Sequence, residues 1–404
     1  MSTEEEVKNV FVAVHVGAGN HSKLNESSYK DICKKACKQA LLLLKARCSA
    51  LEAVTAAVAA LEDDELTNCG KGSNMTVTGT VECDASVMDG ETLHFGAVGA
   101  LSGVANPVVI ASRLVEEQKL GPLPYGRVRP SILVGKGAQQ FCVDRGIGIT
   151  DNLVSVAALK TFRHYSRKCL KSETTNCTHK LKKRKLEIEE STLSLSSVNQ
   201  SPSADIPRAD AIHDTVGAVC VDHFGNVAAA ASSGGIWLKH AGRLGASAVY
   251  GAGCWAQNQM SDIKTGVAAV TSGCGEQLMK TLLAKTSCDS VRSSDNLTHS
   301  LANSFKDSFL ESEFLKPCNE KFAGILLLRT VQNENREGMF NKLYRKRIEK
   351  VCLTELYRMR IEKWKLPGFT PLLVCAWATC LDTARHLLLQ CQDWKLILCL
   401  GKHT

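Results

Sequence analysis

An abrupt change of composition at Thr215 constrains the fold more than any other feature of this sequence. A run of apolar and β-branched residues begins there, which predicts a buried strand, whereas residues 160–212 before it are basic and polar. Core-forming sequence also precedes that polar segment, over residues 10–160. We therefore expect one fold built from two parts, residues 1–214 and 215–404, with the polar segment as a flexible insert outside the core.

Hydrophobic periodicity predicts strands and helices on both sides of the insert. Before it we expect a strand at residues 10–16 and helices at residues 29–45, 50–62 and 107–119. After it we expect strands at residues 215–221, 227–232 and 324–329. This mixed order is typical of an α+β fold in which helices cover a sandwich of sheets.

Overall composition excludes several classes of protein. With 44% hydrophobic and 22% charged residues, the 404-residue chain is not predominantly disordered. It has no run of 18 apolar residues and no secretory signal pattern at its start, so we expect neither a membrane association nor an extracellular location. In a reducing compartment its 18 cysteines should be mostly buried thiols.

The first part of the insert is strongly basic. Ten Lys or Arg residues and one acid lie between Lys160 and Lys185. The cluster Lys182, Lys183, Arg184 and Lys185 is typical of a nuclear import signal, which implies an import receptor as partner and a location in nucleus and cytoplasm. A solvated basic face, or non-specific contact with nucleic acid through phosphates, is the alternative; no specific nucleic-acid site is expected.

The chemical candidate is Thr215, directly after Asp214. A threonine hydroxyl needs a neighbouring base to act as a nucleophile, and its own α-amine can be that base once the preceding peptide bond is cut. Eleven glycines between Thr215 and Gly275 indicate close backbone approaches nearby, without a phosphate-binding or metalloprotease motif. Taken alone, a threonine that opens a strand is more often a β-former than a nucleophile.

Nine blocks of sequence, in order, resemble the plant-type asparaginase family of N-terminal-nucleophile hydrolases, and within it most closely the threonine aspartases. The resemblance covers about residues 10–330 and implies a four-layer αββα sandwich that cuts itself between Asp214 and Thr215. The two products would stay associated, typically as a dimer of heterodimers. The matching blocks are residues 15–19, 61–72, 82–90, 95–101, 214–219, 225–230, 232–235, 239–245 and 271–276.

The resemblance also implies catalytic roles. Thr215 corresponds to the nucleophile, and Ser233 to a second hydroxyl that orients its side chain. Asn68 corresponds to a residue that contacts the nucleophile region. The relatives bind a sodium ion in the loop at residues 68–72, and the resemblance extends a structural sodium to this chain; no other cofactor and no catalytic metal are expected.

Substrate binding is implied in the same way. Arg243 corresponds to the residue that pairs with a substrate carboxylate, a task that suits a planar guanidinium. Cys274 and Gly275 correspond to the positions of the family's oxyanion donors. The substrate backbone would pass Gly235. All of these positions lie in the glycine-rich segment.

One departure from the family pattern selects among its branches. Asparaginases carry an aspartate three residues after the arginine, which binds the free α-amine of the substrate, and this chain has Ala246 there. An unpaired buried ammonium is costly, so we expect a self-processing threonine endopeptidase that cuts nuclear regulatory proteins at internal Asp-Gly bonds. An L-asparaginase or isoaspartyl dipeptidase is the first alternative. An inactive, uncut chain that serves as a binding protein is the second.

The C-terminal tail, residues 331–404, matches no ending typical of the family. Residues 339–365 are basic and helix-like, and the segment beyond them is apolar and rich in Cys and Trp. Without strands from this region the sheet edges would stay open, which would impair folding.

Overall fold

A computed structural model describes the fold over most of the chain. The described residues are 10–17, 25–150, 153–176, 214–260, 265–332, 346–354, 359–360 and 377–381. The predicted import signal at Lys182, Lys183, Arg184 and Lys185 lies outside them. In the described part, no helix combines the length and the apolar composition needed to cross a lipid bilayer.

The described part of the chain contains thirteen strands and eight α-helices. The strands are β1 (Phe11–His15), β2 (Cys83–Asp89), β3 (Phe95–Leu101), β4 (Ile132–Val134), β5 (Val216–Val221), β6 (Val227–Ser233), β7 (Cys254–Gln257), β8 (Thr265–Gly273), β9 (Glu320–Lys321), β10 (Ala323–Gln332), β11 (Lys346–Thr354), β12 (Met359–Arg360) and β13 (Trp377–Leu381). The helices are α1 (Glu26–Lys45), α2 (Ala50–Glu62), α3 (Pro107–Lys119), α4 (Gly135–Val143), α5 (Val156–Asn176), α6 (Gly275–Thr281), α7 (Leu283–Arg292) and α8 (Leu297–Phe305).

Two sheets form the centre of the fold. The larger has the strand order β13-β1-β5-β6-β2-β3-β4, so β5 and β6, which follow Thr215, lie between strands that precede it. All its pairings are antiparallel except β3 with β4. The second sheet has the order β11-β10-β8-β7, and β9 pairs separately with β12.

Alternating side chains of the larger sheet face two different cores. In β1, Val12 and Val14 pack in a core shared with α1, α2 and α3, whereas Phe11 and Ala13 pack in a core shared with the second sheet and with α7 and α8. This period of two is what a strand buried on both faces requires. The layers therefore run helices, sheet, sheet, helices, which is the predicted α+β, four-layer αββα sandwich.

Local sequence signals explain why helices α2 and α3 begin where the sequence predicted. Helix α2 begins at Ala50 because Ser49 and Glu52 form a reciprocal capping box. Helix α3 begins at Pro107, whose missing N–H costs nothing in a first turn.

All cysteines whose side chains are described are free thiols, most of them buried.

The structure differs from the sequence-based predictions in two segments. The beginning of the predicted flexible insert is part of α5, where Leu159 and Phe162 pack against a small apolar cluster and Tyr165 stacks on Trp237 with ring centroids 4.2 Å apart. In the tail, residues 346–354 form β11 beside β10 rather than a helix, and β13 pairs with β1. Segments of the tail thus satisfy the backbone groups of two strands that would otherwise be sheet edges.

Candidate active site

Thr215 lies directly before β5, at the wall of a narrow cavity of about 20 Å³. Asp214 and Thr215 are both 8% exposed, so the bond between them is buried within the sandwich. The cavity brings together predicted residues that are far apart in sequence: Asp214, Thr215, Ser233, Gly235, Arg243 and Gly275. Ala246 also lines it.

Two side chains donate hydrogen bonds to the carbonyl oxygen of Asp214. The donor-to-acceptor distance is 2.9 Å from Asn68 Nδ2 and 3.4 Å from Ser233 Oγ. The resemblance implies that Ser233 orients the side chain of Thr215, whereas its hydroxyl here donates to the carbonyl oxygen of the preceding residue, Asp214. These donors polarise the carbonyl of the peptide bond that precedes Thr215.

The side chain of Asn68 is fixed by the turn and loop around it. Its Nδ2 also donates to Gly235 O at 2.8 Å, and its Oδ1 accepts from Asn74 N at 2.9 Å. The backbone N–H of Gly234 donates to Asn68 O at 2.7 Å. A Cβ at Gly234 would lie only 2.6 Å from Asn68 Oδ1, so the Asn68 side chain can pack against this turn only if the residue there is glycine.

Ser272 is a site residue that sequence analysis missed. Ser272 lies in β8 of the second sheet, and its Oγ accepts a hydrogen bond from Thr215 N at 3.2 Å. Its hydroxyl is therefore next to the nitrogen that would become the free amine of Thr215. The signal for it was its place in the matched block at residues 271–276, but only strand pairing shows which side chain of that block faces Thr215.

Arg243 occupies a slot walled by glycine backbone. Cβ atoms at Gly235, Gly245 and Gly275 would come within 2.7–3.0 Å of its Nη1 or Nη2 atoms. On its other edge, Arg243 Nε and Nη2 both donate to Glu276 Oε1, at 2.9 Å and 2.7 Å. The guanidinium predicted to bind a substrate carboxylate is thus already paired with a carboxylate of the chain.

Two buried charged groups support this slot from behind. Asp84 accepts hydrogen bonds from Gly245 N at 2.7 Å and Ala100 N at 2.9 Å, and burial raises the pKa of its carboxyl. Lys239 donates to Gly234 O at 2.8 Å, and burial lowers the pKa of its ammonium. Together they fix the two backbone turns between which Arg243 lies.

Cys274 does not have the geometry predicted for it. Its backbone N–H donates to Phe322 O at 3.0 Å, so that amide is engaged between loop and sheet and is not directed at a reacting oxygen. Its thiol pKa is raised by burial, which disfavours the thiolate. Gly275, the other predicted donor, lines the cavity at the first position of α6.

Comparison with known proteins identifies related sequences. The sequence profile of the family described as Asparaginase matches residues 8–314. The isoaspartyl peptidase/L-asparaginase of Mus musculus is 36% identical over 277 residues, which cover 68% of this chain and 71% of that protein. The isoaspartyl peptidase of Salmonella typhimurium is 34% identical over 278 residues, 68% and 76% respectively. The isoaspartyl peptidase/L-asparaginase of Homo sapiens is 34% identical over 278 residues, 69% and 75%.

Proposed function

Because this chain belongs to the asparaginase family, a family of N-terminal-nucleophile hydrolases, we propose that it cuts itself between Asp214 and Thr215 and then uses Thr215 to hydrolyse other proteins. The observation that carries the proposal is the pair of donors on the Asp214 carbonyl, Asn68 Nδ2 and Ser233 Oγ. Hydrogen bonds aimed at that oxygen stabilise the negative charge that forms on it during attack.

The self-cutting step follows from these contacts. Thr215 Oγ attacks the carbonyl carbon of Asp214, and the charge on the carbonyl oxygen is stabilised by Asn68 and Ser233. The C–N bond then breaks, and the nitrogen of Thr215, next to Ser272, takes up the proton lost by the hydroxyl. The resulting ester is hydrolysed by water, which leaves a carboxylate on Asp214 and a free amine on Thr215.

In the processed protein the amine of Thr215 would be the general base. An α-amine has a pKa of about 7.7–8.0, so roughly a tenth to a third of it is unprotonated near neutral pH and can act as a base. The amine accepts the hydroxyl proton of Thr215 as the oxygen attacks the substrate carbonyl. Arg243, which lines the same cavity, would bind the side-chain carboxylate of a substrate aspartate.

We propose an endopeptidase specific for an internal Asp followed by a small residue such as Gly. Ala246 supports this choice, since it is 6% exposed and offers no charge to a free α-amine at the cavity wall. The names of the relatives favour a second candidate, an isoaspartyl peptidase or L-asparaginase. The two candidates differ in whether the aspartyl residue of the substrate carries a free α-amine.

A substrate panel separates these candidates. We expect wild-type protein to cleave an Asp-Gly peptide and to leave free asparagine and a β-aspartyl dipeptide largely intact. Arg243→Ala should reduce cleavage of the Asp-Gly peptide about ten- to hundredfold, because a charge-assisted contact contributes about 1.5–3 kcal/mol. Ala246→Asp should begin to admit the two substrates with free amines. Efficient hydrolysis of free asparagine by the wild type, with no peptide cleavage, would favour the asparaginase.

The basic cluster before the cut implies nuclear substrates and an import receptor. Replacing Lys182, Lys183, Arg184 and Lys185 by alanine should abolish nuclear accumulation of a fluorescently tagged protein in cells. The variant should still cut itself, since these residues precede the cut by about thirty positions. A denaturing gel measures this self-cutting. An unchanged nuclear fraction would assign the cluster to an exposed basic face.

We further propose that the processed parts pair as a dimer of heterodimers.

We propose that the loop carrying Asn68 binds a structural sodium ion, as the family resemblance implies. The backbone carbonyl oxygens of Glu65 and Thr67 lie in this loop, packed against Gly72. Carbonyl oxygens are suitable ligands for an alkali cation. Bound there, the ion would supply positive charge that braces the loop. Among the described residues, no group of three His, Cys, Asp or Glu side chains is placed to bind a metal.

A further inference from the structure

We propose that the Glu276 carboxylate competes with substrate and product carboxylates for Arg243. This competition lowers the affinity of the site for acidic substrates and products. The inference rests on the proposed function, because it assumes that Arg243 binds the substrate carboxylate. Its starting point is the ion pair itself: one oxygen, Glu276 Oε1, accepts hydrogen bonds from both Nε and Nη2 of Arg243. A carboxylate of the chain therefore occupies one of the two edges by which a guanidinium binds carboxylates.

Arg243 does not need Glu276 to hold its position. Its side chain is only 14% exposed and lies in the slot formed by Gly235, Gly245 and Gly275, where there is no room for a Cβ. Glu276 is 49% exposed, and an ion pair with one such solvated partner contributes little to fixing a buried side chain. The main effect of Glu276 on the site is consequently its charge.

That charge acts against any second carboxylate. A substrate aspartate must either take the Nε–Nη2 edge from Glu276 or bind the remaining edge beside it, and both arrangements place two like charges at one guanidinium. Repulsion between like charges a few ångströms apart near a protein surface changes affinity on the order of tenfold. The cleaved product carries an additional carboxylate at its new C-terminus, so the same repulsion favours its release.

The experiment compares wild-type protein with Glu276→Gln, which keeps an oxygen that can accept from Arg243 but removes the charge. Glu311→Gln is the matched control, because Glu311 is an exposed carboxylate outside the cavity in a loose pair with Lys306. Each protein is assayed with an Asp-Gly peptide and with its Asn-Gly analogue. Binding of the cleaved product peptide is measured by calorimetry, which gives the same comparison without turnover.

We expect Glu276→Gln to lower the KM for the Asp-Gly peptide and the Kd of the product about tenfold, with no gain for the Asn-Gly analogue. An unchanged or higher KM, or an equal gain with both peptides, would overturn the proposal and make Glu276 a positioning residue. The Arg243→Ala variant shows whether the proposed function fails or only the proposed competition by Glu276. If it leaves the KM for the Asp-Gly peptide unaltered, the proposed function itself is wrong; if it raises that KM while Glu276→Gln lowers nothing, only the competitor proposal fails.

Discussion

Thr215→Ala is expected to leave the chain as one uncut polypeptide without hydrolytic activity. The substitution removes the only hydroxyl that can attack the Asp214 carbonyl from within the same peptide unit, and it leaves no free amine at position 215 to act as a base. Intact-mass analysis under denaturing conditions should show fragments of 214 and 190 residues for the wild type and a single 404-residue chain for the variant.

Thr215→Ser is the matched control for this experiment. It keeps the hydroxyl and loses one methyl group, so cutting should continue at a reduced rate, since the position before β5 is buried and a missing methyl leaves the nucleophile less restrained. A wild-type protein that remains uncut and still hydrolyses peptides would contradict the mechanism. So would a Thr215→Ala variant that is cut at the same bond.

Asn68→Asp is expected to slow self-cutting by about a hundred- to a thousandfold, the usual loss when one oxyanion donor is removed. Aspartate keeps an oxygen that can accept from Asn74 N, but it replaces the Nδ2 donor by a second oxygen facing the carbonyls of Asp214 and Gly235. The measurement is the fraction of uncut chain over time after rapid purification.

Asn303→Asp controls for the added charge. Asn303 lies on α8, contacts His299, is exposed and does not line the cavity at Thr215. This variant should be cut at the wild-type rate. Equal rates for Asn68→Asp and wild type would show that the Asp214 carbonyl is activated without the Asn68 amide, and the proposed self-cutting step would have to be discarded.

Local signals in the sequence predicted much of the sandwich. The helices α1, α2 and α3 and the strands β1, β5, β6 and β10 have clear periodicity and clear end signals, and the structure confirms them. Helix α5 escaped prediction because its basic residues obscure an apolar face formed by Leu159, Phe162 and Tyr165, which becomes visible only with its packing partner Trp237.

The tail and part of the site could not be predicted for a related reason. Residues 346–354 have a composition that suits a helix, and they form β11 because β10 offers unpaired backbone groups beside them. Likewise, Cys274 and Ser272 are neighbours in one matched block, but strand pairing and the contact with Phe322 decide which of them faces Thr215. Such choices depend on tertiary contacts that short-range patterns do not contain.

The position of β5 and β6 between β1 and β2 has a consequence for how the protein can be renatured. Before the cut, every strand of the larger sheet can find its neighbour within one molecule, so folding is a first-order process. After the cut, the central strands belong to a different polypeptide from the strands on both sides, and reassembly becomes a second-order reaction between two fragments. Denatured, processed protein should regain its structure at a rate that rises with concentration, whereas uncut Thr215→Ala protein should not show this dependence. The cut therefore makes the stability of the fold depend on protein concentration, because two fragments rather than one chain must reassemble.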